Sequence, residues 1–260
     1  MNGLVFQLWE YLLYFLKKEN EHSIHSPYYF QCYCGLQAYL KTNRGGNREL
    51  EDLRKSFAGQ KTLIQSRDYG AGSRWTSGSE KMISTIARRV VSPLRNSLIY
   101  AYFCQQTEAR QVLDLGTSLG INTGYLREQV QGMLYSFEGD PSLLKLAKVY
   151  LGKFFNVQLV PGNLDESLQT VVNQLDRIDF VLMDANHRFG PTLGYFRTIY
   201  PKLHERSIVV VADIHWSREM KQAWEQLKAW PGVTGSIDFF DCGILFFRPS
   251  PNQTHLVLEV

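Results

Sequence analysis

The chain has 260 residues, enough for one α/β domain with a full core and an extension. Its formal charge of +3 and the lack of a basic run give no reason to expect nucleic acid or another polyanion as a partner. Cys32, Cys34, Cys104 and Cys242 are irregularly spaced, and Cys32-x-Cys34 lacks a second pair to complete a zinc site. They read as reduced thiols of a cytoplasmic protein.

From Leu4 to Leu16 the sequence LVFQLWEYLLYFL is apolar and aromatic, interrupted by Gln7 and Glu10 and ended by Lys17-Lys18-Glu19. The spacing predicts a helix with one wide apolar face. It is shorter than the ~20 residues that span a bilayer, so no transmembrane segment is expected. It also lacks the layout of a secretory signal, and its polar face carries too few basic residues for strong lipid binding. Packing on the domain or on a second subunit is the expected role, and a homodimer follows naturally.

Next come HSIHSPYYF (22–30), a polar break TNRGGNR (42–48), and a segment (61–79) containing Asp68-Tyr69-Gly70-Ala71-Gly72-Ser73. Glycines in such a loop permit close backbone approach or lid movement. Residues 1–110 offer no convincing strand. Residues 1–92 read as a helical N-terminal cap over a substrate site, with His25, Asp68 and Tyr69 as its candidate substrate-facing groups.

Residues 111–126, QVLDLGTSLGINTGYL, read as a buried strand, a glycine-bearing turn and the start of a helix. LYSFEGD (134–140) reads as the next strand, ending in Glu138. An open α/β sheet holds a nucleotide-like ligand with such a unit, because glycines admit the backbone and helix-end N–H groups face the ligand. The pattern here is Asp114-x-Gly116-x-x-x-Gly120, not the G-x-G-x-x-G that cradles a pyrophosphate. A carboxylate inside the turn suits a cationic ligand better than an anionic one.

This segment resembles motif I of class I S-adenosylmethionine-dependent methyltransferases. The resemblance implies that Gly116 and Gly120 wrap the methionine end, with Asp114 positioning it and Thr117 and Ser118 nearby. It also implies that Glu138, followed by Gly139, takes the ribose diol. VQLVPGNLDESL (157–168) resembles the family's third strand and places Gly162 and Asn163 beside adenine. IDFVLMDANHR (178–188), SIVVVADIHWS (207–217) and the apolar pair VTGSIDFFDCGILFFR (233–248) resemble the fourth and fifth strands and the closing antiparallel hairpin. The implied fold is a Rossmann-like, doubly wound seven-stranded sheet in residues 93–260. A narrower resemblance, to uncharacterised bacterial methyltransferase-like proteins with His-Ser-Pro and Asp-Ile-His-Trp-Ser segments, singles out His25, Asp68 and His215.

Methyl transfer is an in-line displacement, so positioning the nucleophile and removing its proton matter most. Asp184 and His187 follow the fourth strand, Asp213 and His215 the fifth; these four are the candidate catalytic residues. Asp184 also counts among the cofactor contacts. The same rim resembles the magnesium site of catechol-type O-methyltransferases, but Ile214 stands where that family has an asparagine ligand. Asn186, His187 or His215 would have to complete a different divalent site, with histidine favouring a softer metal. The expected reaction is methyl transfer to oxygen or nitrogen of a small-molecule acceptor. Two alternatives fit the letters. Gly116-x-Ser118-x-Gly120 is also a nucleophile elbow of α/β-hydrolases, with Asp184 and His215 following in order. The other is a cofactor-binding subunit without turnover.

Overall fold

A computed structural model describes residues 3–66 and 80–260. The N-terminal part comprises α1 (Gly3–Lys17), α2 (Pro27–Thr42) and α3 (Arg48–Gly59), then β1 (Leu63–Gln65), β2 (Glu80–Met82) and α4 (Ile83–Arg89). Helix α5 (Leu94–Gln105) leads into the alternating part: β3 (Gln111–Leu115), α6 (Ile121–Arg127), β4 (Met133–Glu138), α7 (Pro141–Leu151), β5 (Val157–Pro161) and α8 (Leu164–Asn173). It continues with β6 (Ile178–Met183), α9 (Phe189–Ile199), β7 (Leu203–Ala212), α10 (Arg218–Lys228), β8 (Gly235–Asp238), β9 (Cys242–Phe246) and β10 (Thr254–Val257).

Strands β3 to β10 form one sheet in the order β10-β8-β9-β7-β6-β3-β4-β5, parallel from β7 through β5, with β9 antiparallel to β7 and β8. Helices cover both faces, so the central strands are mostly apolar, and every residue of β6 is buried. Its one charge, Asp179, accepts the Arg110 and Gln111 N–H groups at 2.9 Å and lies 3.0 Å from His204 Nε2. Local signals start the helices. Asp140 caps α7 ahead of Pro141, Asn163 caps α8, and Ser217 caps α10.

All seven expected strands form, and two findings add to them. The C-terminal segment supplies an eighth, β10, parallel to β8 at the sheet edge. The reading of residues 1–110 as strand-free is corrected by the short antiparallel pair β1–β2, which lies off the main sheet. Helices α1 and α2 pack on the β8–β10 side: Tyr14 OH donates to Leu258 O at 2.6 Å, Tyr102 OH to Cys32 O at 2.8 Å, and the Tyr29 ring lies 5.2 Å from Phe246. Between β3 and β6 the direction of winding reverses, which opens a crevice at the strands' carboxyl ends.

Two glycines test this packing. A Cβ on Gly243 would lie 2.4–2.7 Å from three ring atoms of the fully buried Trp224, whereas Gly194, inside α9, has open space. Gly243→Ala is expected to lower unfolding free energy by about 1–3 kcal/mol. Gly194→Ala is expected to raise it by about 0.5–1 kcal/mol, both read from urea midpoints.

Candidate active site

A cavity of about 420 Å³ sits at that crevice, a size suited to a small ligand. Its floor is the turn after β3. Gly116 has φ +124°, and a Cβ there would sit 2.2 Å from the Asp184 carbonyl oxygen, so only glycine fits. The Asp184 N–H donates to Leu115 O at 2.9 Å and joins the ends of β3 and β6. Gly116 and Thr117 donate their N–H groups to Phe137 O, which ties the turn to β4 as well.

Glu138 ends β4 on the cavity wall. Its carboxylate accepts the Ser118 N–H at 2.7 Å and the Asp140 N–H at 2.8 Å. Burial pushes its pKa up to about 7, against the two N–H donors; the charges of Asp140 and Asp114 add to the rise. Thr117, Ser118, Gly139 and Asn163 also line the cavity. Three predicted cofactor residues stand behind the wall instead. Asp114 is buried, with Oδ2 accepting from Thr123 at 2.6 Å and Ser136 at 2.8 Å. Gly120, at φ +80°, caps α6 and lets it approach Ala147 and Leu151. Gly162, at φ +104°, turns the chain and donates its N–H to Glu138 O.

At the other end of the cavity β6 and β7 bring together Asp184, His187 and Asp213. His187 Nε2 lies 3.7 Å from a carboxylate oxygen of each acid, and one ligand atom from each residue falls within 4.8 Å of the others. Burial raises the Asp184 pKa; His187 opposes this, and the charges of Asp213 and Asp114 reinforce it. Asn186, His187 and Asp213 all have positive φ (+66°, +48° and +57°), conformations costly for residues with a side chain. Three such residues at adjoining strand ends are what a functional site retains.

Sequence reading missed the groups that aim Asp184. Asn122 Nδ2, on α6, donates to Asp184 Oδ2 at 3.2 Å and to Ser92 Oγ at 3.0 Å, while Ser97 Oγ holds Asn122 Oδ1 at 2.7 Å. Tyr100, Trp216 and Asp241 line the same end. An asparagine two residues past Gly120, on the helix that opens beside the cavity, was the available signal.

Two histidine assignments are corrected. His215 is buried with both ring nitrogens engaged, Nδ1 2.8 Å from Glu10 and Nε2 2.8 Å from Asp238, and its ring stacks on Phe240. It does not line the cavity; the left-handed turn at Asp213 points it towards α1. His25 is exposed just ahead of α2 and does not line the cavity. Asp68 and Tyr69 lie outside the described residues. From the N-terminal part, the cavity is lined by Ser66, Lys81, Ile86 and residues 89–92. The hydrolase alternative loses its base, since His215 is committed to Glu10 and Asp238, and the Ser118 backbone serves Glu138.

The Glu10–His215–Asp238 cluster, with Lys221 3.2 Å from Glu10, fastens α1 to the strand ends. Removing one member of a buried ionic group strands the rest. Glu10→Ala is expected to lower unfolding free energy by on the order of 3 kcal/mol in urea titration. A loss below about 1 kcal/mol would mark the cluster as a solvated surface pair.

Comparison with known proteins adds the following. The family described as a methyltransferase domain matches residues 113–214. No curated protein matches the sequence. Among solved structures, an O-methyltransferase from Bacillus cereus in complex with SAH superposes with a TM-score of 0.56 at 14% identity, over 81% of this chain and 98% of that one. TomG, an O-methyltransferase from Streptomyces achromogenes involved in tomaymycin synthesis and solved with SAM, gives 0.50 at 17% identity over 62% and 83%. The SAH-bound methyltransferase PaMTH1 of Podospora anserina gives 0.51 at 14% identity over 61% and 80%. At these identities the likeness is one of fold.

Proposed function

We propose that this chain, whose core is a class I methyltransferase domain, transfers a methyl group from S-adenosylmethionine to oxygen or nitrogen of a small-molecule acceptor. The observation that carries this reading is the adjacency of two features in one cavity. The Gly116 turn with Glu138 forms one end, and the Asp184–His187–Asp213 group forms the other. SAM or SAH in the matched structures supports the choice of cofactor.

The residues present fit that group. Gly116 leaves room that any Cβ would fill, Ser118 Oγ is buried without a partner among the described residues, and Glu138 offers carboxylate oxygens towards the cavity. S-adenosylmethionine, when bound, supplies an electrophilic methyl on a sulfonium. Glu138 would accept the ribose hydroxyls and Asn163 would meet the adenine edge. Asp184 favours the positive end, and its Oδ2 is fixed by Asn122 and Ser92 so that Oδ1 faces His187. His187 takes the acceptor's proton, and Asp184 and Asp213 stabilise the imidazolium that results. In this assignment residues 93–260 are the cofactor-binding unit, residues 1–92 its helical cap, and the assembly a homodimer.

A second reading is favoured by the donor set. Two carboxylate oxygens and one imidazole nitrogen converging within 4.8 Å suit a divalent cation of borderline softness, such as zinc, better than magnesium. Such an ion would polarise the acceptor's hydroxyl as a Lewis acid, and His187 would be a ligand instead of a base.

Calorimetry is expected to give micromolar binding of S-adenosylmethionine and S-adenosylhomocysteine. Because burial raises Glu138 to about 7, affinity should strengthen as pH rises through that value and the acceptor carboxylate forms. Glu138→Gln should weaken binding by about 10- to 150-fold, the worth of a hydrogen bond to a charged group, and flatten the pH profile. With an acceptor in hand, His187→Ala should reduce turnover by about 10²- to 10⁴-fold and leave cofactor affinity within a few-fold. Undiminished turnover would sink the base assignment. Absence of any transfer activity, with binding intact, would favour the cofactor-binding subunit. A rise in melting temperature on adding zinc, abolished by Asp213→Asn, would select the metal reading.

A further inference from the structure

Helix α1 is amphipathic the wrong way round. Its inner row, Phe6, Glu10 and Tyr14, repeats every four residues and is buried against the domain, with a charged residue at its centre. Its outer surface is apolar. Val5, Leu8, Leu12 and Phe15 form a central row, 47–63% exposed. Leu4 and Tyr11 flank it on one side, Trp9 and Leu16 on the other, 51–70% exposed. No charged side chain of Gly3–Leu16 lies on that surface.

From this arrangement we infer that the outer face of α1 is the homodimer seam, packed against α1 of a second copy of the chain. The inference specifies the homodimer reading and rests on it; it is independent of methyl transfer. Three observations select a second copy over other occupants. The first is spacing. Positions 5, 8, 12 and 15 follow the 3-4-3 interval of a helix–helix seam, and the flanking pairs 4/11 and 9/16 repeat at seven. A facing helix interdigitates with such rows, whereas lipid demands no register.

The second is area. At on the order of 100 Å² of open surface per large half-exposed side chain, the eight present roughly 800 Å². That is what each partner contributes to an interface of standard size, and it exceeds the patch that a monomer usually leaves open. The third is charge. A neutral row can meet its two-fold mate without like-charge conflict. Anionic lipid would need cations along the margin. The cations at hand are few and already engaged: Lys17 ends the helix, Lys18 is paired with Glu259 at 2.5 Å and lies 4.3 Å from the Phe15 ring centre, Arg218 lies 6.0 Å from that of Phe6, and Lys221 meets Glu10. Glu10, held by His215 and Lys221, and Tyr14, bonded to Leu258 O, fix the helix on the domain. The seam is therefore preorganised, which lowers the ordering cost of association.

Light scattering after size exclusion reads the outcome directly. At about 10 μM the full chain should weigh about 60 kDa, two chains of 30.0 kDa, and Leu8→Glu/Leu12→Glu should run at one chain with unchanged circular dichroism. The milder Leu8→Ala/Phe15→Ala pair should raise the dimer dissociation constant at least tenfold in sedimentation equilibrium, and it covers the case in which the charged variant aggregates. A wild-type mass of one chain, or a folded charged variant that stays dimeric, overturns the seam. So does co-flotation of a wild-type monomer with phosphatidylcholine–phosphatidylglycerol vesicles that the charged variant loses, which would assign the face to lipid. The cofactor titration needs no dimer, so loss of S-adenosylmethionine binding and loss of the seam are separate results.

Discussion

The contact on which the site depends is the approach of β3 to β6 at their carboxyl ends. With 2.2 Å between an imagined Gly116 Cβ and the Asp184 carbonyl, these two ends close to backbone contact, and the Asp184 N–H to Leu115 O bond holds them there. One glycine thus sets two things together. It frees the turn that faces the cavity, and it places the first acid of the Asp184–His187–Asp213 group beside that turn. Parallel pairing of β6 with β7 then brings in Asp213, and pairing of β3 with β4 brings in Glu138. The four functional strand ends are consecutive neighbours in the sheet, so the cavity follows from strand order rather than from loop folding.

Acids gather at the strand ends of this cavity and just behind them. Asp114, Glu138, Asp184 and Asp241 are each pushed upward, and in every case burial is the leading cause. Carboxylates gathered in a partly dry crevice repel one another and lose hydration, and a cation binding among them relieves both penalties. A sulfonium with an α-ammonium group is such a cation, and so is a divalent metal at the far end. The same arrangement is a poor one for a pyrophosphate, in keeping with an acid inside the glycine turn. Lys81 and Arg89, contributed by the N-terminal part, also line the cavity.

Much of this was legible because it is local. The strand–turn–helix letters of residues 111–126, the acid that ends β4 and the two acids after β6 and β7 declare themselves within windows of a dozen residues. Residues that act through distant partners did not. His215 sits in a segment that reads as chemistry, yet its role is set by Glu10, 205 residues away in sequence. Asp114, Gly120 and Gly162 do not line the cavity, although their neighbours in sequence do. One residue of offset along a strand or turn decides which side of the wall a side chain occupies. Asn122 and Ser92 went unnoticed because small polar residues become orienting groups only when folding aims them at one carboxylate oxygen.

Helix α1 joins the two halves of the argument. A carboxylate taken out of water is costly, and Glu10 is tolerated on the inner face because His215 and Lys221 meet it there. That choice forces the apolar residues outward, since a helix cannot bury both faces against one surface. Apolar residues on both faces would have fixed α1 by packing alone but left the histidine without its partner. His215 lies two residues beyond Asp213, whose backbone is itself held by Asp241 at 2.6 Å. The loop carrying the second acid of the site is therefore braced from two sides, by the β8–β9 turn and by α1. The residues that make α1 sticky outside are the geometric consequence of the charge that braces the loop inside.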